Sequence, residues 1–161
     1  MNGGLNTYGY GAANPVNFID PWGLDYLKFD GNTLTWVSEK QTSRGRRPTG
    51  ETRSWPANSG GENFKSIPEG NYFTSPGDKE RHPGEYDSWG PFSYRLHEGP
   101  LTRLINRLFG RTGGFHMHGG TERGTAGCIE FTDFGEAEDI HELDELIREY
   151  GDWIRVVVDY K

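Results

Sequence analysis

Cys128 is the only cysteine in the chain, and that scarcity excludes an internal disulfide framework. Long hydrophobic runs are missing as well: nothing approaches the roughly 20 apolar residues of a membrane-spanning helix, so membrane insertion is not expected. No secretory leader opens the sequence, and export is expected to depend on some other carrier. Basic charge is also in short supply. The formal net charge is -7, and the stretch from Asp133 to Asp152, nine carboxylates against Arg148, contributes -8 of it. The remainder sums to about +1, which leaves no basic face for nucleic acid; the small Arg44-Arg46-Arg47 group reads as a solvated loop. What is plentiful is glycine, 24 residues, and aromatic side chains, 14% of the chain against a hydrophobic content of 32%. Short strands, many turns and an aromatic core follow, in a mainly β fold of one domain plus a short appendage.

That appendage is Met1 to Leu24, dense in Gly, Asn and Pro and almost uncharged. Its turn signals, Asn14-Pro15 and Asp20-Pro21 before Gly23, are spaced as in a β-repeat, and one repeat cannot bury its own face. The run Tyr8-Gly9-Tyr10, Asn14-Pro15 and Phe18-Ile19-Asp20-Pro21-Trp22-Gly23-Leu24 resembles the closing motif of RHS-repeat cores. The resemblance implies a β-repeat cage around a toxin domain, with Asp20 as a processing aspartate and the bond after Leu24 as the one cut.

A second unit is expected over residues 25–161. Residues 26–37 alternate apolar and polar side chains about Asp30-Gly31-Asn32, a hairpin pattern. Gln41 to Glu51 reads as a polar loop and Asp78 to Tyr86 as a charged one. Short strands are predicted at Asn71 to Thr74 and Ser93 to His97. Residues 101–109 carry apolar side chains at 101, 104, 105, 108 and 109, a helical stripe that either overhangs the site or covers a sheet face. A longer helix is expected over 134–150, with Ile140, Leu143, Leu146, Ile147 and Tyr150 inward and Thr132 or Asp133 as its cap, before a β-branched closing strand.

The chemistry gathers in Phe115-His116-Met117-His118-Gly119-Gly120 and Thr125-Ala126-Gly127-Cys128-Ile129-Glu130. By residue type alone, Cys128 is a small packed side chain beside Ile129 and Phe131. Its setting argues otherwise. A strand through His116-Met117-His118 puts both histidines on one face, and ten positions on, after a Gly-rich loop, comes a thiol whose pKa of about 8.5 needs a nearby base. His118 would serve as general base and acid, with its second ring nitrogen held by a backbone carbonyl such as that of Gly119. Backbone N–H groups of Gly127 and Cys128 would face an oxyanion, and Thr125 would add a hydroxyl. A metal site made of His116, His118 and Cys128 lacks the paired ligands of structural zinc and is set aside; neither metal nor cofactor is expected.

The run His118-Gly119-Gly120-Thr121-Glu122-Arg123-Gly124-Thr125-Ala126-Gly127-Cys128-Ile129-Glu130-Phe131 resembles the catalytic signature of L,D-transpeptidases. With Trp55-Pro56-Ala57-Asn58-Ser59-Gly60 and Ile67-Pro68-Glu69-Gly70-Asn71-Tyr72, it is similar to the small effector branch of that superfamily, over about Arg53 to Phe131. The resemblance implies an L,D-transpeptidase-like β-sandwich or barrel whose catalytic set is Cys128, His118, Gly119 and Gly127. Its reaction is attack on the L,D bond of a peptidoglycan tetrapeptide stem, as carboxypeptidase or as transpeptidase with D-amino acid exchange. Glu130 and Ala126 stand where many relatives carry cations, so Arg53, Arg95 or Arg123 is offered instead for the substrate, alongside His116, Thr125 and Ser59. Taken with the first resemblance, it implies a secreted antibacterial effector of the type VI kind, delivered into the periplasm of target bacteria, with an RHS cage and a cognate immunity protein as partners. Two other readings stay open: a cysteine peptidase or amidase on another peptide, and a non-catalytic glycan-binding module.

Overall fold

The computed structural model describes residues 25–42, 45–61, 64–83, 89–111, 113–120, 126–131 and 138–160. The RHS-like segment with Asp20 and Leu24 lies outside them, as do Arg123, Thr125, Thr132 and Asp133. The fold is mainly β. Ten strands, β1 (Asp25–Phe29), β2 (Thr33–Thr42), β3 (Gly45–Asn58), β4 (Gly70–Thr74), β5 (Lys79–Arg81), β6 (Phe92–Arg95), β7 (His97–Glu98), β8 (His116–His118), β9 (Ile129–Phe131) and β10 (Ile154–Val158), are joined in the order β5-β6-β8-β9-β3-β2-β1-β10-β4-β7. Two described helices accompany them, α1 (Pro100–Leu108) and α2 (Glu138–Tyr150).

The first hairpin turns where the sequence places it. Asp30 Oδ1 accepts from the backbone N–H groups of Asn32 (3.0 Å) and Thr33 (2.9 Å), and Gly31 supplies the positive φ of 107°. Alternation then buries Leu27, Phe29, Leu34 and Trp36. The predicted loop at 41–51 is instead the far end of the β2–β3 ladder, with Gln41 opposite Arg46 and Thr42 opposite Gly45. A polar ribbon carries no apolar alternation, so hydropathy does not reveal it. Likewise, the charged stretch after Pro76 forms a 3-10 turn and then β5, which pairs with β6.

Helix α2 holds the site-bearing strands to the rest. Ile140, Leu143 and Ile147 are buried against the sheet, while Leu146 and Tyr150 are partly buried, Tyr150 meeting Trp36 edge-on at 5.9 Å. From the same helix, Glu142 accepts from Trp55 Nε1 (2.9 Å) and Asp144 accepts from Tyr94 Oη (2.5 Å) and Lys79 Nζ (2.8 Å). These contacts tie α2 to β3, β5 and β6 together.

Helix α1 sits the opposite way round from an ordinary amphipathic helix. Its apolar stripe, Leu101, Leu104, Ile105 and Leu108 with Phe109 beyond, is exposed, whereas Thr102 and Asn106 are buried. Thr102 Oγ1 accepts the N–H of Asn71, Asn106 Nδ2 donates to Glu98, and Gly70 leaves room for Thr102, whose atoms would lie 2.5–2.6 Å from a Cβ there. The stripe therefore does not cover the sheet.

Candidate active site

Strand β8 lies between β6 and β9 and collects the chemistry. Ser93 pairs with His118 and Arg95 with His116 on one side; on the other, His118 pairs with Glu130 in parallel register. Paired residues share a sheet face, and so do alternate residues along a strand. Two rows thus cross the strands on one face: Ser93, His118 and Glu130, then Arg95, His116 and, one residue before Ile129, Cys128. Met117 and Ile129 point to the other face and are buried there.

His118 is 1% exposed. Its Nδ1 donates to the Gly119 carbonyl oxygen at 2.7 Å, which leaves Nε2 as the unprotonated nitrogen; that atom is buried and has no hydrogen-bond partner among the described residues. Burial pulls the imidazole pKa down to about 4, against the Gly119 bond, which raises it, so the ring is neutral near pH 7. Gly119 is buried with α2 beneath it, Ile140 lying 3.5 Å from the position of a Gly119 Cβ, and Gly90 packs its backbone against Gly119 from above. The carbonyl that orients His118 is thereby clamped from two sides.

Cys128 is buried, and its Sγ lies 4.0 Å from the Gly114 carbonyl oxygen. Burial pushes the thiol pKa up, the His116 backbone N–H pulls it back, and the Glu130 carboxylate raises it further. Cys128 therefore rests as a thiol and His118 as a neutral imidazole, and the register sets Cys128 in the row of His116, next to the row of His118. Gly127, before it, has φ +91°, and a Cβ there would meet the Phe115 ring at 2.9 Å, so only glycine permits this turn into Cys128.

His116 Nδ1 donates to the Gly114 carbonyl oxygen (3.0 Å), and Nε2 points toward Glu80 at 3.6 Å; burial lowers its pKa. With its Nδ1 on a carbonyl oxygen, the proton sits on Nδ1 in the neutral ring. Three residues not singled out from sequence complete the cluster. Trp89 lies against His118 (4.8 Å between ring centres), His82 (5.0 Å) and His116 (5.4 Å), and His82 Nε2 meets Ser93 Oγ at 2.8 Å. Arg111 Nη2 lies 3.5 Å from where a Gly127 Cβ would be, next to the Phe115 ring. Only tertiary structure gathers these side chains; Trp89 carries no local motif.

The other sequence candidates are placed apart. Arg53 is ion-paired with Glu142 at 2.8 Å and lines a separate cleft of about 830 Å³ with Asp25, Trp36 and Tyr150. Ser59 accepts the Ile67 N–H at 2.8 Å and holds the loop that carries Ser66. Among the described residues, no group of three or more His, Cys, Asp or Glu side chains is placed to hold a metal ion, and no helix is long and apolar enough to cross a membrane.

The depressed His118 pKa has a measurable consequence. In the unfolded chain the imidazole takes a proton below about pH 6.5, and in the folded one only below about 4. Unfolding thus binds a proton between these values, and stability present above pH 6.5 falls by about 3 kcal/mol as pH is lowered to 4. Proton NMR should find the His118 ring resonance untitrated at pH 5, while denaturant midpoints drop across the same window.

No protein-family model and no curated protein sequence matches the chain. Several solved structures share its fold, among them Bd1075 and Pgp2. Bd1075 of Bdellovibrio bacteriovorus superposes with a TM-score of 0.62 at 16% identity, over 90% of this chain and 51% of its own. Pgp2 of Campylobacter jejuni, a helical cell shape determining protein, superposes with a TM-score of 0.53 at 16% identity, over 88% of this chain and 52% of its own. The chain thus spans about half the length of each and shares its fold with that part of both.

Proposed function

We propose that the protein is a cysteine acyl-transfer enzyme acting on the tetrapeptide stems of peptidoglycan, as an L,D-carboxypeptidase, an L,D-transpeptidase, or both. One observation carries this reading: a neutral imidazole, oriented through Nδ1 by Gly119 and with an unpartnered Nε2, shares a sheet face with the chain's single thiol. The fold shared with a cell shape determining protein adds support from outside the site.

In this mechanism the Cys128 proton moves to His118 Nε2 as sulfur attacks the carbonyl carbon of the stem's third residue. The negative charge that develops on the carbonyl oxygen faces the Cys128 and Gly127 N–H groups. The C–N bond then breaks, the His118 imidazolium returns its proton to the departing amine of the terminal D-amino acid, and a thioester on Cys128 remains. Water, a free D-amino acid or the side-chain amine of a second stem attacks that thioester, giving up its proton to Nε2, and the thiol is restored. Because the thiol rests protonated, transfer and attack are coupled and no standing thiolate is needed.

The adjoining RHS-like segment extends the proposal to biology: a toxin released by cleavage after Leu24 with Asp20 taking part, held in a cage, neutralised in its producer by an immunity protein and active in the periplasm of a target cell. Incubation with purified disaccharide tetrapeptides, followed by mass spectrometry, tests the chemistry. The expected products are the disaccharide tripeptide and, with an added D-amino acid, the exchanged tetrapeptide. Tetrapeptide recovered unchanged under both conditions overturns the reading.

A further inference from the structure

Helix α1 turns its apolar stripe to solvent, and nothing in the proposed chemistry uses it. Leu101, Leu104, Ile105 and Leu108, with Phe109 just past the end, range in exposure from 41% at Ile105 to 77% at Phe109. The helix cannot simply roll to hide them. Thr102 accepts the Asn71 N–H at 2.9 Å, Asn106 donates to Glu98, and the Gly99 N–H donates to the Asn71 carbonyl oxygen at 2.8 Å. Rolling the stripe inward would strip these polar groups of their partners and lift Thr102 from the space that Gly70 leaves for it.

Charge separates this helix from the rest of the chain. At about 3.6 residues per turn, Arg103 and Arg107 stand one turn apart along a border of the apolar stripe, and both are exposed. Neither forms an ion pair among the described residues. No carboxylate occurs in the sequence between Glu98 and Glu122, and Glu98 is engaged by Asn106. On a chain of net charge -7, α1 is a cationic and apolar island.

Those two properties choose among occupants. A second copy joined about a two-fold axis through this stripe would set arginines against arginines, with no carboxylate in the patch to separate them. An anionic phospholipid surface meets both properties at once. Acyl chains close around an apolar ridge without a preformed groove, and the phosphates lie at the level of the bordering arginines, whose aliphatic stems follow the ridge. The nine residues of α1 extend about 14 Å, so the helix can lie in the interface but not cross a core of roughly 30 Å.

We propose that α1 docks the protein on an anionic phospholipid surface, lying in the plane of the interface with its apolar ridge among the acyl chains and Arg103 and Arg107 among the headgroup phosphates. The proposal is independent of the stem chemistry.

Co-sedimentation of the intact chain with vesicles tests it. Wild type should bind vesicles of mixed phosphatidylglycerol and phosphatidylcholine roughly 10-fold or more tightly than phosphatidylcholine alone, and high salt should erase the difference. Arg103→Gln with Arg107→Gln should lose about 5-fold per arginine on the mixed vesicles and little on the neutral ones. Arg81→Gln, at an exposed cation on β5, should bind as wild type. Leu108→Ser with Phe109→Ser should lose about 10-fold or more on both vesicles. These side chains are exposed, so each variant should keep the wild-type circular dichroism; if the serine pair fails to fold, the arginine pair and the wild-type preference decide. Equal binding of wild type to neutral and anionic vesicles, or binding kept in the serine pair, overturns the proposal. A wild type that binds neither vesicle overturns it in favour of an acidic protein partner. In sedimentation velocity without lipid, a dimer that the serine pair disperses assigns the stripe to a second copy and overturns it too.

Discussion

Cys128→Ala is expected to bring tetrapeptide turnover to the uncatalysed background, a loss of about 10³-fold or more, with little change in stability. The thiol is 5% exposed and small, and replacing it by a methyl group removes few contacts, so the thermal transition should move by only a few degrees. His118→Gln should cost about 10² to 10⁴-fold in turnover, because the thiol is left without a proton acceptor, and the double substitution should cost no more than Cys128→Ala alone. Such non-additivity is the signature of two groups acting in one step. Mass spectrometry of stem products measures all three variants; turnover by Cys128→Ala equal to wild type would remove sulfur from the mechanism, and the proposal with it.

The second large effect is structural. Asp144→Ala should lower stability by about 3 kcal/mol or more, measured by denaturant unfolding. Burial by itself raises the Asp144 carboxyl pKa, but the hydrogen bonds from Lys79 and Tyr94 outweigh it and hold the group below its usual range. Arg148 adds a contact at 3.1 Å from the same helix. Removing the carboxylate leaves the buried Tyr94 hydroxyl without its acceptor and the Lys79 ammonium, stacked 3.9 Å over the Phe92 ring, without its counterion. A depressed carboxylate contributes stability above its unfolded pKa of about 3.9 and loses it as pH falls through the lower folded value. Asp144→Asn should therefore match wild type most closely at strongly acidic pH.

Much of the framework is readable from local pattern because local chemistry decides it. Asp30 closes the first hairpin through its own side chain, and the i, i+3, i+4 spacing of Ile140, Leu143 and Ile147 defines the buried stripe of α2. Helix α1 shows where that logic stops. Spacing identifies an apolar stripe on it, but the side that packs is chosen by Thr102 accepting the Asn71 N–H and by Asn106 meeting Glu98, partners 31 and 8 residues away. The polar ribbon of β2 and β3 is hidden for the opposite reason, since neither of its faces needs apolar residues. At the candidate site, the His-x-His alternation puts both rings on one face, and the choice of the Gly119 carbonyl as ring partner follows from its being the next residue. Trp89 and His82 reach the site only through the fold, and charge alone, the basis on which Arg53 is considered, does not reveal that this cation is paired with α2.

Strand β10, made from residues 154–158, does not lie at an edge; it is inserted between β1, which it meets in parallel, and β4, which it meets in antiparallel register. In order of synthesis, then, a central strand of this half of the sheet is made after the other nine described strands. Until Ile154, Val156 and Val158 arrive, β1 and β4 each present an open hydrogen-bonding edge, and Leu27, Phe29 and Tyr72 have a neighbouring strand on one side only. Completion of the fold is thereby tied to completion of the chain through Val158, and a nascent or C-terminally clipped polypeptide holds the Cys/His residues without the finished sheet that supports them.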